Sequence, residues 1–497
     1  MGEPSPDIRS PSGLDDTSSR NLENDDPWSR RMVLSLDGGG IRGLTSLYIL
    51  RELMRMTRDV ERKYMNTSST ASPLIRPDGR ERDGDSGKFS FSEQNSEGEI
   101  LPCHYFDYIG GTSTGGLIAT LLGRLRFSVD EVIIHYQNIW TTMAAELSSS
   151  DALLPFRKSK RRRGNTSGLE HALSQILQTR QLQLNNLLYR VGIPRSPTAS
   201  ESSTANLLND TFASDAEMCR TIALAVQIDS KLGISRPFLF RSYPSINHSN
   251  HVAKKSAENA TRDAGIMQVC RATSAAPVYF ESVKLGDGNY KYRDGSIWAP
   301  NPSEELYNEV RSMHQDVEKP VRCLVSIGCG QSKHTQSPAH NTPSPIKSRQ
   351  DPDTVLRKRS SDGELDYFRL NGPMDLSDQK LKDWKASRSG KDTFQLLKVA
   401  VDTYVANTNV EDELKRCAEL LVDRRRARAA TPRWGRFALG LCYVCSRCET
   451  NSRTVKFDDA DDYIDHLQWV HEGPPPDDVL YFEYKRLLEN SRISMVR

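Results

Sequence analysis

The chain has 497 residues, of which 37% are hydrophobic, nine cysteines and a formal net charge of +2. The hydrophobic share lies below the roughly 45–50% of compact domains, so part of the chain stays outside any core, and the near-neutral balance carries no general signal for nucleic acid. Few and mostly scattered cysteines fit reduced thiols better than a disulfide framework, and no run approaches the roughly 18 apolar residues of a membrane span. With no basic-then-apolar leader, the expectation is a soluble intracellular protein.

Residues 1–30, rich in Ser, Pro and Asp, are expected to be disordered. A short apolar strand, Met32 to Leu36, then runs into "DGGGIRG" and an amphipathic helix from Leu44 to Arg58. A polar stretch, 66–100, reads as a disordered insertion, after which "HYFDYIGGTSTGGLIATLLGRL" forms a second strand–turn–helix unit. Two such units in succession imply a layered α/β core over residues 31–330, with "RCLVSIG" as a further strand. Residues 331–362 read as a linker loop and 363–430 as a helical extension. A cysteine/histidine module spans 440–475, before a tail over 476–497.

Three glycines after a strand and before a helix aim bare backbone N–H groups at one point, which suits an anion. The anion could be a resting phosphate or an oxyanion formed in a reaction. Gly38-x-Gly40-x-x-Gly43 satisfies the dinucleotide pattern, but about 20 residues on the acidic residue is Glu61, inside a charged helical tail, not at a strand end. No Gly-Lys-Ser/Thr follows, so a Walker loop fails too. Gly111-Thr112-Ser113-Thr114-Gly115 is the G-x-S-x-G of a nucleophile elbow in its required context, although the bare pattern is also a common Gly/Ser turn. Ser113 needs a base. Of ten histidines, His104, His135, His171 and His314 lie outside polar loops and the terminal module, and none stands in a turn built to present it. Asp294, ending "YKYRDG", is the better candidate, though on local grounds alone an Asp-Gly hairpin turn explains it better.

"DGGGIRG", "GTSTGG", "RATSAAPVYF" and "DGS…NP", in this order, resemble the patatin-like phospholipases, serine lipid acyl hydrolases related to cytosolic phospholipase A2. The resemblance covers residues 31–330, and "DYFRLN", Trp384 and "ELKRCAELLVDRRRAR" look like the helical tail of fungal members. It implies a layered α/β/α core with a central, mostly parallel sheet. It assigns Ser113 as nucleophile, Asp294 as its only partner in a Ser/Asp dyad, and Gly38, Gly39 and Gly40 as an oxyanion hole with Arg42 supplying positive charge. It implies a phospholipid or related acyl-ester substrate and no catalytic cofactor or calcium. The sequence departs from the family at Ser296, where Gly or Ala is usual, and at Pro300, where the usual residue is Asn; the latter puts the placement of Asp294 at issue.

The basic run Arg157, Lys158, Lys160, Arg161, Arg162 and Arg163 could draw the protein to anionic headgroups, or be a solvated loop or localisation signal. Cys445, Cys448, His466 and His471 have the ligand types of a two-Cys, two-His zinc finger, with seventeen residues between Cys448 and His466 and Cys442 as a substitute ligand. The spacing Phe457-x5-Tyr463-x2-His466 keeps the finger's core pattern. Asp458, Asp459, Asp461, Asp462 and Asp465 would repel phosphates, which favours a structural or protein-contact role over reading DNA. The rival expectations are an inactive patatin-fold scaffold whose finger binds partners and a zinc-dependent nucleic-acid regulator.

Overall fold

The computed structural model describes residues 26–67, 100–149, 158–190, 211–245, 263–277, 279–285, 289–330, 350–372, 391–448, 455–457, 460–472 and 492–494. The expected disordered segments 1–30 (save its last five residues) and 66–100 (save its ends), Trp384 and most of the C-terminal tail lie outside them.

Eight strands form the central sheet: β1 (Arg31–Leu36), β2 (Tyr108–Thr112), β3 (Arg220–Asp229), β4 (Ser235–Arg241), β5 (Val283–Leu285), β6 (Tyr290–Asp294), β7 (Val321–Ile327) and β8 (Asp366–Leu370). Five of them, in the order β3-β2-β1-β7-β8, pair in parallel, and β4, β5 and β6 add antiparallel pairs at the β3 side. Helices cover this sheet, which is why β1 reads as an almost unbroken apolar run: Met32, Val33, Leu34 and Leu36 are all fully buried. The helices include α1 (Gly43–Thr67), α2 (Thr114–Ala119), α3 (Val129–Ser149), α4 (Lys158–Arg190), α5 (Ile266–Thr273) and α6 (Ser303–Met313). The expected mostly parallel α/β fold is therefore present.

β3 is twice as long as β2, ten residues against five, and it pairs along one edge with two strands in succession. Parallel β2 takes its first half, with Thr112 opposite Leu224; antiparallel β6 takes the second half, with Asp294 opposite Ala225. The C-terminal ends of β2 and β6 thus meet head to head at neighbouring registers of one strand.

Two expectations on domain limits change. Helix α7 (Pro352–Ser361) lies within the stretch read as a linker, and β8 within the stretch read as a helical tail; β8 pairs with β7 inside the central sheet. Residues 366–370, beyond the expected limit at 330, are therefore part of the same sheet. Helices α8 (Lys391–Val405), α9 (Thr408–Ala429) and α10 (Arg433–Leu439) follow. The basic "RRRAR" run belongs to α9, and it pins that helix to the core. Arg425 forms a buried pair with Glu61 of α1, and the fully buried Arg428 donates to Asp107 at 2.7 Å. Burial alone would push the Asp107 carboxyl up, but the charges of Arg428 and Arg31 and the Met32 N–H outweigh it and hold the group below its ordinary range. A second, three-stranded sheet, β10-β9-β11, is formed by β9 (Leu441–Val444), β10 (Lys456–Phe457) and β11 (Arg492–Ser494), beside α11 (Ala460–His466).

Candidate active site and metal centre

Ser113 stands between β2 and α2 with φ of 54° and ψ of −128°, a left-handed conformation that non-glycine residues rarely hold. The turn is possible only with glycine on either side. A Cβ on Gly111 would lie 2.3 Å from the carbonyl of Gly115, and one on Gly115 would lie 2.3 Å from the carbonyl oxygen of Leu36. This sharp turn lifts the hydroxyl out of the strand, and because β6 ends at the neighbouring register, Ser113 Oγ donates to Asp294 Oδ2 at 2.6 Å. Asp294 is held from the other side by the Ser296 N–H, which donates to Oδ1 at 2.7 Å. Burial pushes the Asp294 carboxyl above its ordinary range, and the bonds from Ser113 and Ser296 pull back only part of the way. A raised carboxylate is a stronger base toward the Ser113 proton. The Pro300 loop does not displace Asp294; the Pro300 carbonyl instead accepts the Gly38 N–H at 3.1 Å.

No candidate histidine shares this site. His104 meets the Ala438 carbonyl, His171 meets Glu146, His314 meets Tyr108, and His135 packs on Phe127.

The glycine loop lies alongside. A Cβ on Gly38 would fall 2.2 Å from Ser296 Oγ and 2.9 Å from Ser113 Cβ, so only glycine fits between Ser113 and the loop after Asp294. Gly39 donates to Thr114 Oγ1 at 3.2 Å, and Gly40 has φ of 58°, its carbonyl held by the Tyr136 hydroxyl. Arg42 Nε is buried without a partner among the described residues. The Ser296 hydroxyl, the residue that departs from the family pattern, is near enough to ease the Asp294 charge yet makes no bond of good geometry.

Sequence reasoning missed what holds this loop. Asp37, immediately before Gly38, accepts two bonds from Arg369 of β8, at 3.0 and 2.6 Å, and Arg369 also donates to Ser326. Cys329 fills the space against Gly39. The signal was present only as an acid at the head of "DGGG" and a lone arginine in "DYFRL".

The second centre lies in the C-terminal module. One ligand atom each from Cys445, Cys448, His466 and His471 all fall within 4.8 Å of one another, with Cys448 Sγ 3.3 Å from His466 Nε2 and 3.0 Å from His471 Nε2. Tetrahedral zinc separates its ligands by roughly 3.3–3.8 Å, so the group needs only small adjustment to take the ion. On an α-helix, residues five apart stand roughly 140° off a common face. The turn from Leu467 to Glu472 is instead a wide π turn, which swings His471 back beside His466. Tyr463 packs against Phe457 and stacks on Tyr443, forming the small core beneath the ligands. Cys442 is buried on β9, opposite Ile493, and is not one of the group.

A strained serine on a strand-to-helix turn, in contact with one carboxylate and a glycine loop, places the chain among α/β proteins with serine-nucleophile architecture. A family model described as patatin-like phospholipase matches residues 34–307, more than half the chain, and the chain belongs to that family. It is 25% identical over 302 residues to the human calcium-independent phospholipase A2-gamma, and 25% identical over 332 residues to Phospholipase A I of Arabidopsis thaliana. Each match takes in 60% of this chain but only 28% and 20% of those longer proteins. Among solved structures, VipD of Legionella pneumophila overlaps with 11% identity and a TM-score of 0.27, over 80% of this chain and 74% of that one, too loosely to bear on the fold.

Proposed function

We propose that the protein is a lipid acyl hydrolase of the phospholipase A type, working through a Ser113/Asp294 dyad. The observation that carries this reading is the 2.6 Å bond from Ser113 Oγ to Asp294 Oδ2 at a strained elbow, within a patatin-like chain. Asp294 takes the hydroxyl proton as Ser113 Oγ attacks the acyl carbonyl carbon. The tetrahedral oxyanion forms beside the glycine loop. The Gly38 N–H donates to the Pro300 carbonyl and the Gly39 N–H to Thr114 Oγ1, so the loop offers the Gly40 N–H directly and the other two only by exchanging those bonds, with the Arg42 guanidinium adding charge. Collapse releases the alcohol portion of the lipid, which carries away the proton held by Asp294. A water then attacks the acyl-serine, gives its proton to Asp294, and frees the fatty acid as Ser113 is re-protonated. No cofactor enters these steps.

The Cys445, Cys448, His466 and His471 group is assigned to structural zinc, since a module this small lacks an adequate core of its own. The basic start of α4 supplies a contact to anionic headgroups. No described helix is long and apolar enough to cross a membrane.

The test is fatty-acid release from phospholipid and from a soluble ester, with fluorophosphonate labelling. Ser113→Ala should lose labelling and turnover, and Asp294→Asn should lose at least about a thousandfold in turnover. Turnover within a few-fold of wild type in Asp294→Asn would overturn the dyad.

A further inference from the structure

β3 does not stop at the level of the dyad. It continues five residues past Leu224, to Asp229, paired with β6 on one side and β4 on the other, while β5 lies outside β6. At roughly 3.3 Å per residue the arm β5-β6-β3-β4 stands about 17 Å beyond the end of β2, from which Ser113 projects. The tips of its two hairpins are joined, with Ser230 N–H donating to the Asn289 carbonyl at 2.8 Å.

The β3–β4 tip has an unusual surface. Leu232 is 71% exposed and Ile234 59% exposed. The tip is held in shape rather than left loose: Asp229 accepts from the Lys231 and Leu232 N–H groups, and Gly233 turns the chain at φ of 67°. Two large apolar side chains are thus presented outward by an ordered turn. Exposed Lys231 flanks them, and exposed Lys284 lies on β5 of the same arm, neither in an ion pair among the described residues. Among the described residues, two carboxylates of the arm are engaged: Asp229 by the turn amides, and Glu281, at the base of β5, by Arg163 of α4 at 3.6 Å.

We infer that this arm is an interfacial anchor, which inserts Leu232 and Ile234 into the surface of an anionic phospholipid bilayer and holds the Ser113 edge of the sheet toward it. The occupant is a lipid surface because apolar side chains at the extreme tip backed by lysines match the order of acyl layer and anionic headgroup met from inside a bilayer outward. The choice of lipid over protein rests on the hydrolase reading above. The arm meets α4 where Arg163 pairs with Glu281 at the base of β5.

The experiment is co-sedimentation of the full chain carrying Ser113→Ala, so that the lipid is not consumed, with phosphatidylcholine vesicles with and without phosphatidylserine. Binding stronger on the phosphatidylserine vesicles is expected, and Leu232→Asp with Ile234→Asp should weaken it at least tenfold. A thermal melt that matches the parent protein shows that the double variant is folded. Should it not fold, the surface pair Lys231→Ser and Lys284→Ser is measured instead, and its expected result is loss of the preference for phosphatidylserine. Binding unchanged in a folded variant, or no binding by the parent, overturns the anchor. Fatty-acid release from a soluble ester by the chain with native Ser113 tests the hydrolase reading separately: a chain that binds vesicles through the arm but never cleaves an ester would sink that reading and leave the anchor standing.

Discussion

At the scale of single residues, the buried Asp294 carboxyl places a cost on the fold. Asp294 is buried, and its carboxyl is pushed above the ordinary range, so the folded protein binds this proton at a pH where the unfolded chain has released it. Stability therefore falls as pH rises through the window between the ordinary carboxylate value and the raised one, and the penalty persists above it. Asp294→Asn removes the charge while keeping an oxygen for the Ser296 N–H and an amide toward Ser113 Oγ. Its melting temperature should exceed that of wild type at neutral pH, and the gap should close below the ordinary carboxylate range. A gap that stays constant with pH would show that the Asp294 charge costs the fold nothing. The motifs around this residue were legible in sequence because they are local: Gly111 and Gly115 are demanded by backbone contacts across one turn. Asp294 itself was ambiguous, since an Asp-Gly turn and a catalytic carboxylate are spelled alike; what the structure adds is its bond from Ser113 Oγ.

Among the elements, β8 shows where local reading fails. "DYFRL" looks like a fragment of a helical tail, yet its arginine is the counter-charge for Asp37, 332 residues away in sequence. A long-range pair of this kind leaves no periodic mark. Likewise two arginines of "RRRAR" are buried because Glu61 and Asp107 await them, although a charge run in isolation reads as solvated. The pair Arg369–Asp37 is mostly shielded from water, with side chains 9% and 12% exposed. Removing one partner strands the other, so Arg369→Ala should cost about 3–5 kcal/mol in urea unfolding, and adding Asp37→Asn should recover much of that loss. If the double variant is no more stable than the single one, the charge of Asp37 is not what Arg369 neutralises.

For the whole molecule, two cores of different origin are joined in one chain. The large one is an apolar sheet-and-helix core; the small one, beneath Cys445, Cys448, His466 and His471, holds little more than Tyr463, Leu467 and their neighbours. Stability of the small module should therefore follow metal supply. Purified protein is expected to carry one zinc per chain, and a chelator should abolish hydrogen-exchange protection over 441–472 while β1 and β7 keep theirs. Protection of the module undiminished by metal removal would make the cysteine/histidine group incidental. The family match, ending at residue 307, stops short of β7 and β8, so a chain cut at 330 would lack the counter-charge of Asp37 and both arginine anchors of α9.

The end-to-end docking of β2 and β6 along β3 also sets which changes this protein can accumulate. The separation of Ser113 and Asp294 is written as the count of residues along one strand, with Leu224 answering to Thr112 and Ala225 to Asp294. A single inserted residue at that junction would shift Asp294 by roughly 3.3 Å and turn its side chain to the opposite face of the sheet. Loops elsewhere can lengthen and helices can drift in composition, whereas the middle of β3 admits exchanges of like for like but no change in length.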